Sequence, residues 1–491
     1  MTENNIQLVN EDGKIVGKNP ETGETIPIEL GETVLDSLHT DEVNTVRYVN
    51  PSMSAAEISA IIEEVSDAGG GTVVAVNGEY DPEDPIIMSD NVYFRGESEA
   101  GTVFRPTDGL DAVDGADFGR SVIYAEDLEN IEFSHMTIDG TTDLNANYCI
   151  EPFNCKNVEI HHITGTNVRD DPLVMHRNTD GFGIYFCTTK GEFDDEDFGS
   201  HGIEIEEGSK NGVVAFNHCY ERQTGIEVKS RYPGEQTQNV LVFGNYISGG
   251  TEAGIALTGD EHDGQILWLE HIKVFANTVE NIGSEEATGV GIRGREYLKN
   301  CEIYWNTFRD CDHATRLGWI NENENVTFSH NSLEDMQGDA IRVEGGTGYE
   351  IAHNDLISAS DGYRIGIRLN GDLDARVAWN RIRDQEFDEA IGVEDGASAE
   401  IRGNTASNSR ILVFDDAGVG SVLTDNVADE FLVQDESSCN VIRDNSPEIP
   451  VDVTQLDEIE GNWAYNDGTT GSEGWAYYDG TEWVTVDTTA L

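Results

Sequence analysis

The sequence predicts an all-β solenoid, and three observations predict it. A short sentence of strand and turn recurs down the chain, as HGIEIEEG from His201, TGIEVKS from Thr224, AGIALTGD from Ala253, TGVGIRGR from Thr288, DAIRVEGG from Asp339, RIGIRLNG from Arg364 and EAIGVEDG from Glu389. A second strand in each repeat closes on asparagine, at Asn217, Asn245, Asn277, Asn306, Asn331, Asn354, Asn380, Asn404, Asn426 and Asn445. These are 28, 32, 29, 25, 23, 26, 24, 22 and 19 residues apart, a period that marks a stack of repeats. Within the repeats apolar and polar residues alternate, which is the signature of strand rather than helix. Each coil buries its apolar pair only against the coils above and below, so stability is close to a sum of nearest-neighbour terms.

The repeats resemble the right-handed parallel β-helix superfamily, which holds pectate lyases, polygalacturonases and many viral tailspikes. The resemblance covers roughly residues 45–448. It implies that the recurrent asparagines stack as a ladder in one turn, each amide satisfying turn backbone groups and its neighbours in adjacent coils. A fold of this kind does not by itself name a function.

Residues 1–44 are expected to form a separate β-rich unit, with turn signals at NEDGK and NPETGET between short strands. A capping helix follows over 54–68. Ser54 and Glu57 make a capping box, Ile58, Ile61, Ile62 and Val65 form an apolar stripe, and Gly69-Gly70-Gly71 stops it. In the resembling family such a helix plugs the open end of the first coil. Early coils carry ENIEFSHMTIDG and KNVEIHHITG, and the acidic stretch TKGEFDDEDFG at 189–199 interrupts the rhythm as a projecting loop. From 449 to 491 the chemistry changes to an aromatic β-hairpin module, where WAYNDGT and WAYYDGT repeat twelve residues apart with hairpin-forming Asp-Gly.

Charge narrows the setting. With 95 acidic against 29 basic residues the formal net charge is -66. Self-repulsion of that size loosens a fold at ordinary ionic strength, whereas in molar salt the Debye length falls to about 3 Å. A hypersaline host is therefore expected. No basic stripe exists to meet phosphates, so nucleic acid is excluded as a partner. The seven cysteines lack metal spacing and read as small core residues. The first thirty residues hold no apolar leader segment and no run is long enough for a membrane span.

Three sets of residues carry candidate chemistry. Against the polygalacturonase pattern, Asn178-Thr179-Asp180-Gly181 matches the family's NTDG, Ser200-His201-Gly202 resembles its histidine motif and Lys229 stands for its basic residue. The acidic pair would be Asp170-Asp171, which precedes NTDG where the family's pair follows it, or Asp194-Asp195, which lies less than one coil before His201. A second reading rests on register, which places Glu204 beside Glu227 on outward positions of adjacent coils about 4.8 Å apart. That spacing suits a retaining glycosidase, although a solvated acidic face relieved by Lys229 is the commoner arrangement. A third is a sugar-binding groove in which Arg231, Arg293, Arg316, Arg342 and Arg368 share that face, with Trp268 and Trp319 in or near loops as stacking platforms; Trp305 and Trp379, each before a ladder asparagine, read as structural.

These readings converge on a virion surface spike, fibre or turret of a tailed virus with a halophilic host, of haloarchaeal virus type. It would bind a host-surface glycan or glycoprotein and attach to other virion proteins through the N-terminal unit. A homotrimer is expected, with no cofactor beyond structural monovalent or divalent cations. The alternatives are an extracellular polysaccharide lyase or hydrolase of a haloarchaeon and a non-catalytic adhesin. Catalysis is the less favoured expectation because the motif order is broken.

Overall fold

The computed structural model describes residues 45–107, 120–141, 146–191, 201–283, 289–319, 323–357, 365–383 and 389–407, shorter stretches as far as 445, and the backbone of short strands near both termini. Between residues 45 and 445 the strands form a parallel β-helix. One wall is a sheet of fourteen parallel strands, in coil order from Ile86–Ile87 to Glu430–Val433. A typical coil adds Thr224–Lys229 to this wall, Gln238–Phe243 to a second and Tyr246–Ser248 to a third.

The core follows from the repeat. Ile203, Ile226, Ile255, Ile292, Thr315, Ile341, Ile367, Ile391 and Ile411 stand in one register row, all without solvent exposure. Thr315 is the one polar member, and its hydroxyl donates to the Ile292 carbonyl at 2.9 Å. β-branched side chains on a pleated strand stack with little loss of rotamer freedom, which is why isoleucine fills this row.

The asparagine ladder is present rung by rung. Each amide donates to a carbonyl one coil back and to the next asparagine's Oδ1, as Asn277 Nδ2 does to Val242 O and Asn306 Oδ1, both at 2.9 Å. That Oδ1 also accepts the Asn277 backbone N–H at 3.0 Å. The chain of bonds runs from Asn217 to Asn445. A feature the repeat did not reveal lies just before it. Phe216, Gly244, Ala276, Trp305, His330, His353, Trp379, Gly403 and Asp425 each precede a ladder asparagine, and all have φ between 54° and 66°. The ladder sits at a left-handed bend between the second and third walls.

A second asparagine row was also missed. Asn91, Asn130 and Asn157 sit at φ 58°, 59° and 52° and pass amide hydrogen bonds from coil to coil at 2.9 Å. Asn239 to Asn211 and Asn325 to Asn300 repeat this at 3.2 Å. Its signal was legible, since an asparagine stands at the head of DNV, ENI, KNV, QNV and ENV strands.

The helix runs Ala55–Asp67 with both halves of the Ser54–Glu57 capping box formed. Ile58, Ile62 and Val65 are buried in the common core, while Ile61 is only partly covered, so the stripe is narrower than expected. At the chain ends, Gln7–Glu11, Lys14–Lys18 and Thr25–Ile26 form an antiparallel sheet, as do Trp463–Asn466, Gly474–Tyr478 and Trp483–Thr485. The aromatic side chains of the last unit lie outside the described residues. The six described cysteines are buried free thiols.

Asn306→Ala is expected to lower stability by about 3 kcal/mol, because it leaves the Asn277 N–H and the Val274 carbonyl buried without partners. Asn325→Ala, on the exposed row, should cost less than about 1 kcal/mol. Ile226→Asp should cost more than either, because it puts a charge into the apolar row. Denaturant melts in molar salt measure all three.

Candidate functional site

The outward face of the fourteen-stranded wall carries the charged residues. Val174, Glu204, Glu227, Ala256, Arg293, Arg316, Arg342 and Arg368 form one register row across successive coils. Glu204 and Glu227 are therefore neighbours, as the repeat predicted. They are not a solvated acidic face, however, with only 4% and 6% of their surfaces exposed.

What covers them is a network of opposite charge. Lys229 Nζ lies 3.2 Å from Glu204, 3.3 Å from Glu206 and 3.4 Å from Glu227. His201 places Nδ1 2.9 Å from Asp171 and Nε2 3.2 Å from Glu227. His176 bridges Glu151 through Nδ1 and Glu206 through Nε2, both at 3.0 Å, and Arg231 reaches Glu206 at 3.5 Å. Five carboxyl groups, Glu151, Asp171, Glu204, Glu206 and Glu227, thus face the cationic forms of His176, His201, Lys229 and Arg231.

The electrostatics drive these carboxyls apart. Burial and the charges of Glu206 and Asp171 push the Glu204 carboxyl well above its usual range. Against burial, the charge and hydrogen bonds of His201, with a hydrogen bond to Glu204, hold Asp171 below its own. Against burial, His201 and Lys229 also lower Glu227, while the His176 hydrogen bond and Lys229 hold Glu206 down to about 2. His201 is pushed up to about 10, against burial, by the charges of Glu227 and Asp171. Asp170, beside Tyr148, rises to about 6 through burial and the Asp171 charge. Carboxyls driven apart in this way divide into a proton donor and an ionised partner.

The sequence motifs sort accordingly. Asp171, His201 and Lys229 come together, although chain order argued against it. Asp180 does not join them: it lies on another wall, paired in register with Lys156 and Lys210, and accepts from Asn211 at 2.7 Å. Asp194 and Asp195 lie outside the described residues. Glu151, His176 and Glu206 were not singled out as site residues. The signal for His176 is weak, since its strand, Leu173–Met175, is short and departs from the repeat.

Farther along the face the arginines are paired. Arg293 meets Glu252 at 2.7 Å, Arg316 meets Glu344 at 2.6 Å, Arg342 meets Glu344 at 2.7 Å, and Arg368 pairs with Glu394 and with Asp339. Trp319 lies under the Arg316 guanidinium at 3.9 Å and is 46% exposed. Trp268 packs instead against Tyr297 and Lys299 at the end of another wall, so it does not belong to this face. Arg231 borders the acidic cluster and stacks on Tyr232. Trp305 and Trp379 occupy the left-handed bend, as a structural role requires.

The cluster sets a pH window for stability. The lowered carboxyls Asp171, Glu206 and Glu227 contribute fully above their ordinary values, 3.8 for Asp171 and 4.5 for the glutamates, and lose that contribution as pH falls, Glu206 toward about 2. His201 contributes fully below its ordinary 6.5 and loses its contribution as pH rises through about 10. Glu204 and Asp170, raised above their ordinary values, contribute below those values and lose that contribution as pH rises, Asp170 through about 6. Maximum stability is therefore expected near pH 5, read from melting temperatures at constant salt. At pH 7 Glu204→Gln should cost less than Glu206→Gln, because burial and the charges of Glu206 and Asp171 already favour the neutral form of Glu204. Glu206→Gln should cost about 3 kcal/mol or more by unbalancing His176 and Lys229.

Comparison with known proteins agrees with the geometry. The family profile "Right handed beta helix region" matches residues 263–433. No curated protein matches the sequence. Among solved structures, the tailspike protein of E. coli bacteriophage HK620 in complex with pentasaccharide superposes with a TM-score of 0.57, at 13% identity, over 90% of this chain and 83% of that one. Its D339N mutant, also with pentasaccharide, gives 0.56 at 12% identity, over 81% and 77%. A hyperthermoactive exopolygalacturonase from Thermotoga maritima gives 0.42 at 13% identity, over 79% and 91%. By its coils and by these matches the chain has the right-handed parallel β-helix fold.

Proposed function

We propose that the protein is a virion-surface glycan-binding protein of the tailspike kind, which reads a host-surface glycan along the outward face of the fourteen-stranded wall. The observation that carries this reading is the single register row that runs from the Glu204–Glu227 cluster to Arg293, Arg316, Arg342 and Arg368, with the exposed Trp319 against it. A sugar offers C–H faces to a flat indole and hydroxyl edges to donors and acceptors of fixed direction. Arginine forks locked by carboxylates supply those directions. The fold shared with a tailspike that holds a pentasaccharide supports the reading, and the net charge of -66 supports a hypersaline host. Attachment would use the N-terminal unit, and copies would assemble as a homotrimer in molar salt.

A second reading, cleavage of the bound glycan, is favoured by one arrangement, Glu204 held above its usual range beside Asp171 and Glu227 held below theirs. Glu204 would protonate the leaving oxygen, and an ionised carboxylate would act as base or nucleophile.

Host-envelope polysaccharide, incubated with the protein in molar salt, tests both readings. Trp319→Ala and Arg316→Ala should each weaken binding about tenfold or more while leaving the melting temperature within a few degrees. Unchanged binding in both variants would remove the glycan from this face. New reducing ends that disappear in Glu204→Gln with binding retained would establish cleavage, and their absence from the parent protein would leave a binding protein only. Light scattering that shows a monomer in molar salt would remove the trimer.

A further inference from the structure

The early coils carry a cluster that the glycan face does not use. ENIEFSHMTIDG and KNVEIHHITG lie on adjacent coils, with Ser134 opposite His161 and hence His135 opposite His162. His135 and His162 are both left-handed, at φ 58° and 53°. In an unbroken strand consecutive side chains point to opposite faces. The bend at His162 breaks that alternation and brings the rings of His161 and His162 together, with Nδ1 atoms 2.9 Å apart and planes at 83°.

We propose that His161 and His162, closed by His135, form a binding site for a divalent transition-metal ion. Four features of the site support it. One nitrogen from each of the three rings lies within 4.8 Å of the other two. The 2.9 Å separation of the two Nδ1 atoms corresponds to neighbouring positions at about 90° on an ion with bonds of about 2.0–2.1 Å, a geometry offered by Ni²⁺ or Cu²⁺. Glu132 Oε1 lies 3.1 Å from Nε2 of His161, the outer carboxylate that orients a metal-binding imidazole. His135 Nδ1 is buried without a hydrogen-bond partner. Its ring stacks on His162 at 4.7 Å and 9°, so it must turn about its ring torsion to complete the site. The ion would tie two neighbouring coils together ahead of the acidic insertion.

The test uses the tag-free full chain, titrated calorimetrically with Ni²⁺ and Zn²⁺ in molar NaCl, with Cu²⁺ followed by electron paramagnetic resonance. One ion per chain should bind at micromolar affinity or better, with two or three imidazole nitrogens in the Cu²⁺ spectrum. Phenylalanine keeps an aromatic ring in the stack, so His161→Phe and His162→Phe should leave the metal-free melting temperature within a few degrees while weakening binding about tenfold or more. His135→Phe should remove one nitrogen from the spectrum. The proposal is overturned by binding that survives His161→Phe and His162→Phe, by binding lost instead in His201→Gln, by a spectrum without imidazole nitrogen, or by no binding to the folded parent chain. If either phenylalanine variant does not fold, His161→Gln, which lacks the ligating ring, carries the same expectation.

Discussion

The structure depends on a bend that most residues resist. Between its second and third walls every coil from residue 216 to 426 turns through one left-handed residue, a conformation that costs a non-glycine residue roughly 1–2 kcal/mol. Bulky Phe216, Trp305 and Trp379 nonetheless adopt it, because the asparagine that follows returns the energy through four directed hydrogen bonds. Its amide satisfies a carbonyl one coil back, its oxygen satisfies a backbone N–H and an amide, and it is fixed by the next asparagine in turn. A bend of this kind is stable only in a stack. The first ladder oxygen already serves the neighbouring coil, accepting the Cys187 N–H at 2.9 Å.

A rigid stack in turn permits an expensive site. Five carboxyl groups, two histidines and a lysine buried together would repel or desolvate one another out of a flexible surface. Here the coil spacing holds them in register, and each carboxylate finds a cation on an adjacent coil. Neighbouring coils also bring Glu204 and Asp171 together, so the first is held above its usual range while His201 holds the second below its own. Substantial strain of this sort is tolerated where the backbone cannot relax it.

Much of the fold was readable because a solenoid writes its tertiary contacts as sequence periodicity. The isoleucine row, the ladder and the pairing of Glu204 with Glu227 all follow once two repeats are aligned. The capping box needed only Ser54 and Glu57. The site was less readable. Asp171 and His201 are 30 residues apart, one coil of the stack, but the acidic insertion between them interrupts the rhythm and the motif order argued against pairing them. Asp180 matched a motif by letters but lies on another wall, and Trp268, grouped with Trp319 as a loop aromatic, packs away from its face.

Sequence by itself determined which residues can stack, because side-chain shape, amide chemistry and alternation are local properties repeated at each coil. Only the tertiary structure decided how deeply each outward residue is covered and which cation stands beside it. Coils vary from 19 to 32 residues across the ladder, and the difference is absorbed by turns and loops that leave no periodic trace. The burial of Glu204 and Glu227 depends on the His201 and Lys229 side chains that adjacent coils bring against them, which no single repeat specifies.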